Sequence, residues 1–299
     1  VVQKFREEKT MTRINRAVEL LEAGQPVYYT GVHDLSYASG KEAAQTWADY
    51  LLVEMEHFPF DPVGLRAFMQ GVVDGGPTRS GHRSPPVLVT LPTDGTDETV
   101  MRANAWMVKQ VLACGVHGIL LCHAETPGAV KAFVESARYS FQSLGVGQGG
   151  GVGRRGAGSQ AAAAAIWGVP VSDYLERADP WPLNPQGELL LGLKIENRRA
   201  LENVEATLTV PGIAFAEWGP GDMGMSFGHK DQHDPPYPPE MVAARARVKA
   251  ACDANGIAFL NSSNPSTITA MIDEGVRVTS GGPETAEIGR KYTKRTMPW

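Results

Sequence analysis

The sequence predicts an α/β fold, a (β/α)8 or TIM barrel forming one domain over residues 1–299, and three observations predict it. Short apolar runs alternate with helical stretches along the chain, giving eight strands each followed by a helix. The length of 299 residues suits eight such units in a single domain. The first strand runs into Gly31-Val32-His33-Asp34, not into the glycine fingerprint of an open doubly wound dinucleotide fold, which is the competing arrangement of such units.

Thr12 reads as the N-cap of an opening helix that carries Ile14, Ala17, Val18 and Leu21 on one face and stops at Gly24. Positions 27–30 form the first strand, 41–48 a helix and 50–54 the second strand. Asp61-Pro62 is a cap followed by proline at the first helical position, opening a helix to about Val73. The third strand is 87–91, followed by one long helix over 98–114 with Val100, Met107, Val108 and Val111 turned inward. The fourth strand is 118–122, and Thr126-Pro127 repeats the cap-plus-proline start for a helix to about Tyr139. The last four strands fall at 189–195, 213–218, 257–260 and 276–279, with helices at 198–206, 239–254, 265–274 and 283–291.

Between the fourth helix and the fifth strand the regularity breaks. More than half of residues 145–158 are glycine, and an alanine run over 161–165 reads as a short helix. Long excursions of this kind are functional or flexible, so a mobile or pocket-covering loop is expected here. The run follows a helix and lacks the Gly-Lys-Ser/Thr ending of a phosphate-binding loop, so no nucleotide site is read from it.

Composition excludes several classes. The hydrophobic fraction of 42% supports a sizeable core, and the net charge of −5 argues against a nucleic-acid or anionic-membrane partner. No apolar run approaches the 18 residues of a membrane span, and the charged start has no apolar signal-peptide region. Three cysteines, Cys114, Cys122 and Cys252, form no disulfide framework and suit a reducing, cytoplasmic setting.

In a barrel of this kind the chemistry lies where strands end. The polar residues there are His33 and Asp34 after the first strand, Glu54, Glu56 and His57 after the second, and His123 after the fourth. Glu196 follows the fifth strand and Asp222 the sixth. These two carboxylates on adjacent strands would lie side by side. Two hard oxygen ligands leave room on an octahedral ion for water and a chelating substrate, which suits Mg²⁺, Mn²⁺ or a similar divalent ion. The bland reading is that each carboxylate caps the helix after its strand. A carboxylate beside an imidazole fixes its tautomer and favours its protonation, as a general base requires, which makes Glu54 and His57 catalytic candidates. The bland reading of a single histidine is a hydrogen bond to a loop carbonyl.

Three segments, Val53-Glu54-Met55-Glu56-His57, Leu193-Lys194-Ile195-Glu196-Asn197 and Trp218-Gly219-Pro220-Gly221-Asp222-Met223, resemble the signature strands of the HpcH/HpaI aldolases. Arg154-Arg155-Gly156 is similar to that family's Arg-Gly after the fourth helix, and the resemblance spans roughly residues 12–292. It implies a class II, metal-dependent lyase that cleaves a hydroxy-2-oxoacid to an oxoacid and an aldehyde. It assigns Glu196 and Asp222 to a divalent ion (Mg, Mn or Co) and His57 to the base. His33, Arg155 and Gly221 are candidate substrate contacts. The resemblance also implies a homo-oligomer, trimer-based and commonly hexameric, with the last helix swapped to a neighbour. The metal takes the place of a Schiff-base lysine, for which Lys194 is the one candidate on the strand.

Two departures stand out. Leu91-Pro92 occupies the place of the family's Arg-Pro, whose arginine stabilises the developing enolate, and Ala113 falls where an aspartate orients the base. If this is an aldolase, another donor must face the metal, and His123 is the first choice. Two other readings stay open. One is a lyase or isomerase for a bulkier hydroxy compound, aromatic ones included, with Leu91 making the site more apolar. The other is a metal- or ligand-binding barrel without catalysis.

Overall fold

The computed structural model describes residues 12–231 and 234–299. Nine strands lie among the described residues: β1 (Val27–Val32), β2 (Tyr50–Val53), β3 (Val87–Thr90), β4 (Gly118–Leu121), β5 (Pro180–Trp181), β6 (Leu189–Ile195), β7 (Phe215–Trp218), β8 (Ala258–Leu260) and β9 (Val276–Thr279). All pairings are parallel, in the order β4-β3-β2-β1-β9-β8-β7-β6, and β6 returns to β4 to close an eight-stranded barrel. The ninth, β5, lies beside the start of β6 and belongs to the excursion. The expected eight strands are therefore present, as a TIM-type α/β barrel.

Fourteen helices are described: α1 (Arg16–Glu22), α2 (Tyr37–Ala43), α3 (Pro62–Asp74), α4 (Glu98–Ala103), α5 (Ala105–Ala113), α6 (Pro127–Ala137), α7 (Gln160–Trp167), α8 (Val171–Arg177), α9 (Arg198–Glu202), α10 (Val204–Thr207), α11 (Pro220–Phe227), α12 (Pro239–Asn255), α13 (Ile268–Glu274) and α14 (Gly282–Tyr292). The caps read from Asp61-Pro62 and Thr126-Pro127 are in place, accepting from the amides of Gly64 and Ala129. Alternation within strands sorts the core into two layers. Leu52, Leu88, Leu120, Leu260 and Val278 fill the barrel interior, while Val53, Val89, Leu121 and Leu193 face the helices.

Several boundaries differ from expectation, each for a local reason. The first helix is capped by Asn15 and not Thr12, because the Asn15 side chain accepts from Ala17 while its own amides are tied to Glu188. The second helix begins at Tyr37 under a Ser36 cap and ends at Ala43. It is drawn against α3 through Gly71, where a Cβ would stand 2.1 Å from the Tyr37 carbonyl oxygen. The long helix over 98–114 is two helices, since Asn104 leaves helical geometry at φ −99°, ψ 7° and its amide donates to the Val100 carbonyl. Asn203 divides 198–206 in the same way, its amide turned to the Glu125 carbonyl.

The glycine-rich excursion is not a cover over the strand ends. It turns back along the end of α6, with Arg154 and Arg155 donating from their backbone amides to Glu135 and Arg138. A Cβ at Gly153 would lie 2.3 Å from the Tyr139 carbonyl oxygen, so glycine permits the close backbone approach. Because α6 runs back from the end of β4, its C-terminus and this segment lie at the opposite end of the barrel from the strand ends.

At that same end His117 is buried with its ring stacked on Trp167, 5.4 Å between centroids, and its Nδ1 accepts from the Val87 amide. Burial, with His82 adding to it, pushes its pKa down to about 3. The unfolded state therefore binds the extra proton between that value and about 6.5, so stability present at pH 7 is lost as pH falls. Unfolding free energy from urea titrations at pH 7 and pH 5 should show about 2 kcal/mol less loss for His117→Asn, which keeps an acceptor, than for the native chain. Equal losses in both would show that this ring is not the acid-sensitive group.

Candidate active site at the strand ends

Four strand ends deliver one cluster. Glu56, His123, Glu196 and Asp222 each offer a ligand atom, and these atoms lie within 4.8 Å of one another. Glu196 follows β6 and is 1% exposed. Its neighbour Gly219 caps α11 at the end of β7, where a Cβ would sit 2.8 Å from Glu196 Oε2. That close approach sets Asp222 in the first turn of α11 beside it. α11 itself was missed in the sequence, although Pro220 at its first position is the signal read correctly at Pro62 and Pro127. Gly219 offers no capping side chain and so hides the start. Gly221 lies in the same first turn.

His123 adopts left-handed backbone, φ 45°, and this turns its amide onto Glu196 Oε1 at 2.9 Å. Asn197 caps α9 with its Oδ1, so its Nδ2 is the donor toward His123 Nδ1 at 3.2 Å and toward Glu125. The proton of the neutral ring therefore sits on Nε2, which faces Glu56 Oε1 at 3.7 Å. Glu125 is held in turn by a two-pronged bond from Arg199. This Asn197–Glu125–Arg199 chain was not read from the sequence, because its members act through one another and only folding brings them together.

Glu54 and Glu56 divide the labour of the turn after β2. Glu54 Oε1 accepts from the amides of Glu56 and His57 and from the Thr90 hydroxyl, so this carboxylate clamps the turn and sets the backbone of His57. Glu56 reaches across the barrel mouth, its Oε2 bound to Lys194 Nζ at 2.5 Å. Its Oε1 is buried without a hydrogen-bond partner. His57 stands at the rim, its side chain 63% exposed and Nε2 3.8 Å from Glu56 Oε2. His33 packs on Phe58, with ring centroids 4.8 Å apart, next to His57 in sequence.

Three placements depart from the sequence reading. Leu91 does not face the site: it is buried in the layer between strands and helices, and Thr90 is the residue of β3 turned to the barrel mouth. Leu91 therefore does not make the pocket apolar. Ala113 closes α5 at the barrel end away from His57. Arg155 lies among helices, its guanidinium over the rings of Tyr139 and Tyr174 and bonded to the Tyr174 hydroxyl, so it contacts none of the strand-end residues described here.

The electrostatics are those of a centre short of positive charge. Burial raises the carboxyl pKa of Glu196 well above its usual range, with Glu56 and Glu217 adding and Lys194 opposing. Burial likewise raises Glu217 and Asp94. Burial works the same way on Glu56, but the Lys194 ammonium, the Cys122 thiol and His57 together outweigh it and hold this carboxyl below its usual range. For Lys194 itself burial favours the neutral amine, yet Cys122 and the surrounding carboxylates prevail and raise its pKa. An ammonium so held is a poor nucleophile, which argues against a Schiff base there. A divalent ion answers both observations, the crowded carboxylates and the partnerless Glu56 Oε1, and the oxygen-rich donor set suits a hard cation.

Beside His123 opens a cleft of about 530 Å³ lined by Asp94, Glu125, Asn197, Arg198, Arg199 and Ser226. Carboxylate, amide, hydroxyl, imidazole and guanidinium groups line it, and among the described residues no Phe, Tyr or Trp does.

The profile of the HpcH/HpaI aldolase/citrate lyase family matches residues 89–288, a span that includes His123, Glu196 and Asp222. A 2-keto-3-deoxy-L-rhamnonate aldolase of Klebsiella pneumoniae is 30% identical over 215 residues, 72% of this chain and 67% of the relative. Among solved structures, a family protein from Burkholderia cenocepacia J2315 superimposes with a TM-score of 0.70 at 21% identity, over 94% of this chain and 97% of that one. The HpcH/HpaI aldolase from Desulfitobacterium hafniense DCB-2 follows at 0.65 and 20%, over 93% of each.

Proposed function

The chain belongs to the HpcH/HpaI aldolase/citrate lyase family, and from this we propose that it is a metal-dependent carbon–carbon lyase cleaving a hydroxy-2-oxoacid to an oxoacid and an aldehyde. The observation that carries the reading is the convergence of Glu56, His123, Glu196 and Asp222 within 4.8 Å at the strand ends. Glu196 and Asp222 would hold the divalent ion, Mg²⁺, Mn²⁺ or Co²⁺, with the partnerless Glu56 Oε1 available in the same cluster. When bound, the ion supplies Lewis acidity to the 2-oxoacid group.

The chain's own residues do the rest. His57 takes the proton of the 4-hydroxyl, the C3–C4 electron pair becomes the enolate of the oxoacid half, and the aldehyde leaves. The proton returns to C3. His123, with its hydrogen on Nε2, donates toward the oxygen on which negative charge develops. His33 and Gly221 flank the substrate. The polar cleft fits a hydroxylated aldehyde half, as in the 2-keto-3-deoxy acid for which the Klebsiella pneumoniae relative is named.

No described helix is long and apolar enough to cross a membrane. The three cysteines are unpaired and buried, which supports a reducing, cytoplasmic setting. We assign the chain to a trimer-based homo-oligomer on the family resemblance.

The test is a panel of 4-hydroxy-2-oxoacids with coupled detection of released oxoacid. Chelator should abolish turnover, and Mg²⁺, Mn²⁺ or Co²⁺ should restore it. Full turnover in chelator would overturn the metal reading, and metal binding without turnover of any panel member would favour a non-catalytic barrel.

A further inference from the structure

Lys194 lies on β6 two residues before Glu196, so the pleat turns both side chains the same way, into the barrel. Its side chain is 13% exposed. The ammonium touches Glu56 Oε2 at 2.5 Å and stands 3.9 Å from Glu196 Oε2. Glu56 comes from the far wall, since β3 and β4 separate β2 from β6 in the barrel. The ion pair therefore spans the barrel mouth and ties Lys194 to a member of the four-residue cluster.

We propose that Lys194 is an internal counter-charge that sets the balance of the site, weakening its hold on the divalent ion while strengthening its hold on an anionic ligand. The inference rests on the reading that Glu196 and Asp222 hold that ion. Three carboxylates and a divalent ion leave the centre net negative, which repels a carboxylate substrate and an enolate. A fixed ammonium about 4 Å away cancels that excess, and in a partly buried site such a charge moves an equilibrium tenfold or more. The same charge opposes the incoming cation. A second consequence follows from geometry. With Oε2 engaged by Lys194, Glu56 must present its partnerless Oε1 to the cluster, so Lys194 is also a positioning residue for Glu56.

The two effects have opposite signs, and this separates the proposal from a structural role. Metal-stripped native protein and Lys194→Met are titrated calorimetrically with Mn²⁺, and the Mn²⁺-loaded forms are then titrated with oxalate. The Met variant should bind Mn²⁺ about tenfold more tightly and oxalate about tenfold more weakly. Lys194→Arg, which keeps the charge, should stay near the native values. Affinities that are unchanged, or that weaken together, overturn the proposal. Failure of the native protein to bind Mn²⁺ overturns the metal reading and this inference with it, whereas equal Mn²⁺ binding by both forms overturns this inference alone. If the Met variant does not fold, Lys194→Gln, which is neutral but keeps a donor to Glu56, is read by the same criteria.

Discussion

Glu196→Gln is expected to lower kcat/KM at least about a thousandfold while leaving the melting temperature unchanged or higher. The loss follows from weakening the hold on a Lewis acid that stabilises several kcal/mol of developing charge, and about 4 kcal/mol is a factor of a thousand. The preserved stability follows from the site itself. Glu196 is buried among Glu56 and Glu217, and burial raises its carboxyl pKa well above the usual range. Folding therefore keeps this charge against a cost, which a neutral amide relieves. The amide oxygen can still accept from the His123 backbone, so the left-handed turn there is retained. Asp222→Asn should behave alike in activity. Kinetics, calorimetric Mn²⁺ binding and thermal melts on the same samples test this. Native kcat/KM in the glutamine variant would remove Glu196 from the mechanism, and a large fall in melting temperature would make its role structural.

At the opposite end of the barrel the expected effect is on stability. Asp49→Ala should destabilise the fold by about 3–5 kcal/mol, because it strips the shared partner from buried guanidinium groups. Asp49 is fully buried, accepts a two-pronged bond from Arg295 and single bonds from Arg290 and the Tyr28 amide, and lies against Arg16, which donates to its carbonyl. Burial works to raise the Asp49 pKa, but Arg295, Arg290 and Arg16 together hold it below the usual range. Arg290 also stacks on Trp299, so the residues after α14 are fastened through the same cluster. Asp49 precedes β2 and is remote from the strand ends, so kcat measured well below the melting temperature should stay native. Chemical denaturation reads the loss. A change under about 1 kcal/mol would mean that solvent reaches and satisfies the freed cations.

What the sequence determined by itself was whatever depends on neighbours along the chain. Alternating apolar runs carried the eight strands, because a barrel strand buries both faces and shows as a short, continuous apolar stretch. Caps with proline at the first helical position marked α3 and α6, because the capping oxygen and the fixed proline angle act within four residues. The rim positions of Glu196, Asp222, His57 and His123 were legible for the same reason, as each follows closely on a recognisable strand.

Tertiary structure alone decided which rim residues meet. Glu56 stood in the sequence only as company for His57, yet it crosses the barrel to Lys194, 138 residues away in the chain. Glu54, a catalytic candidate by type, spends an oxygen on the turn that positions His57. Leu91 and Thr90 are adjacent in sequence, and the pleat sends one to the outer core and the other to the site. Arg155, with the right composition around it, is carried to the far side because α6 runs back from the strand ends and the glycine-rich segment follows it. The periodicity of a strand or helix is local, so one sequence window reports it. The closure of eight strands into a ring sets residues from opposite walls within a few ångströms, and no local pattern encodes that distance.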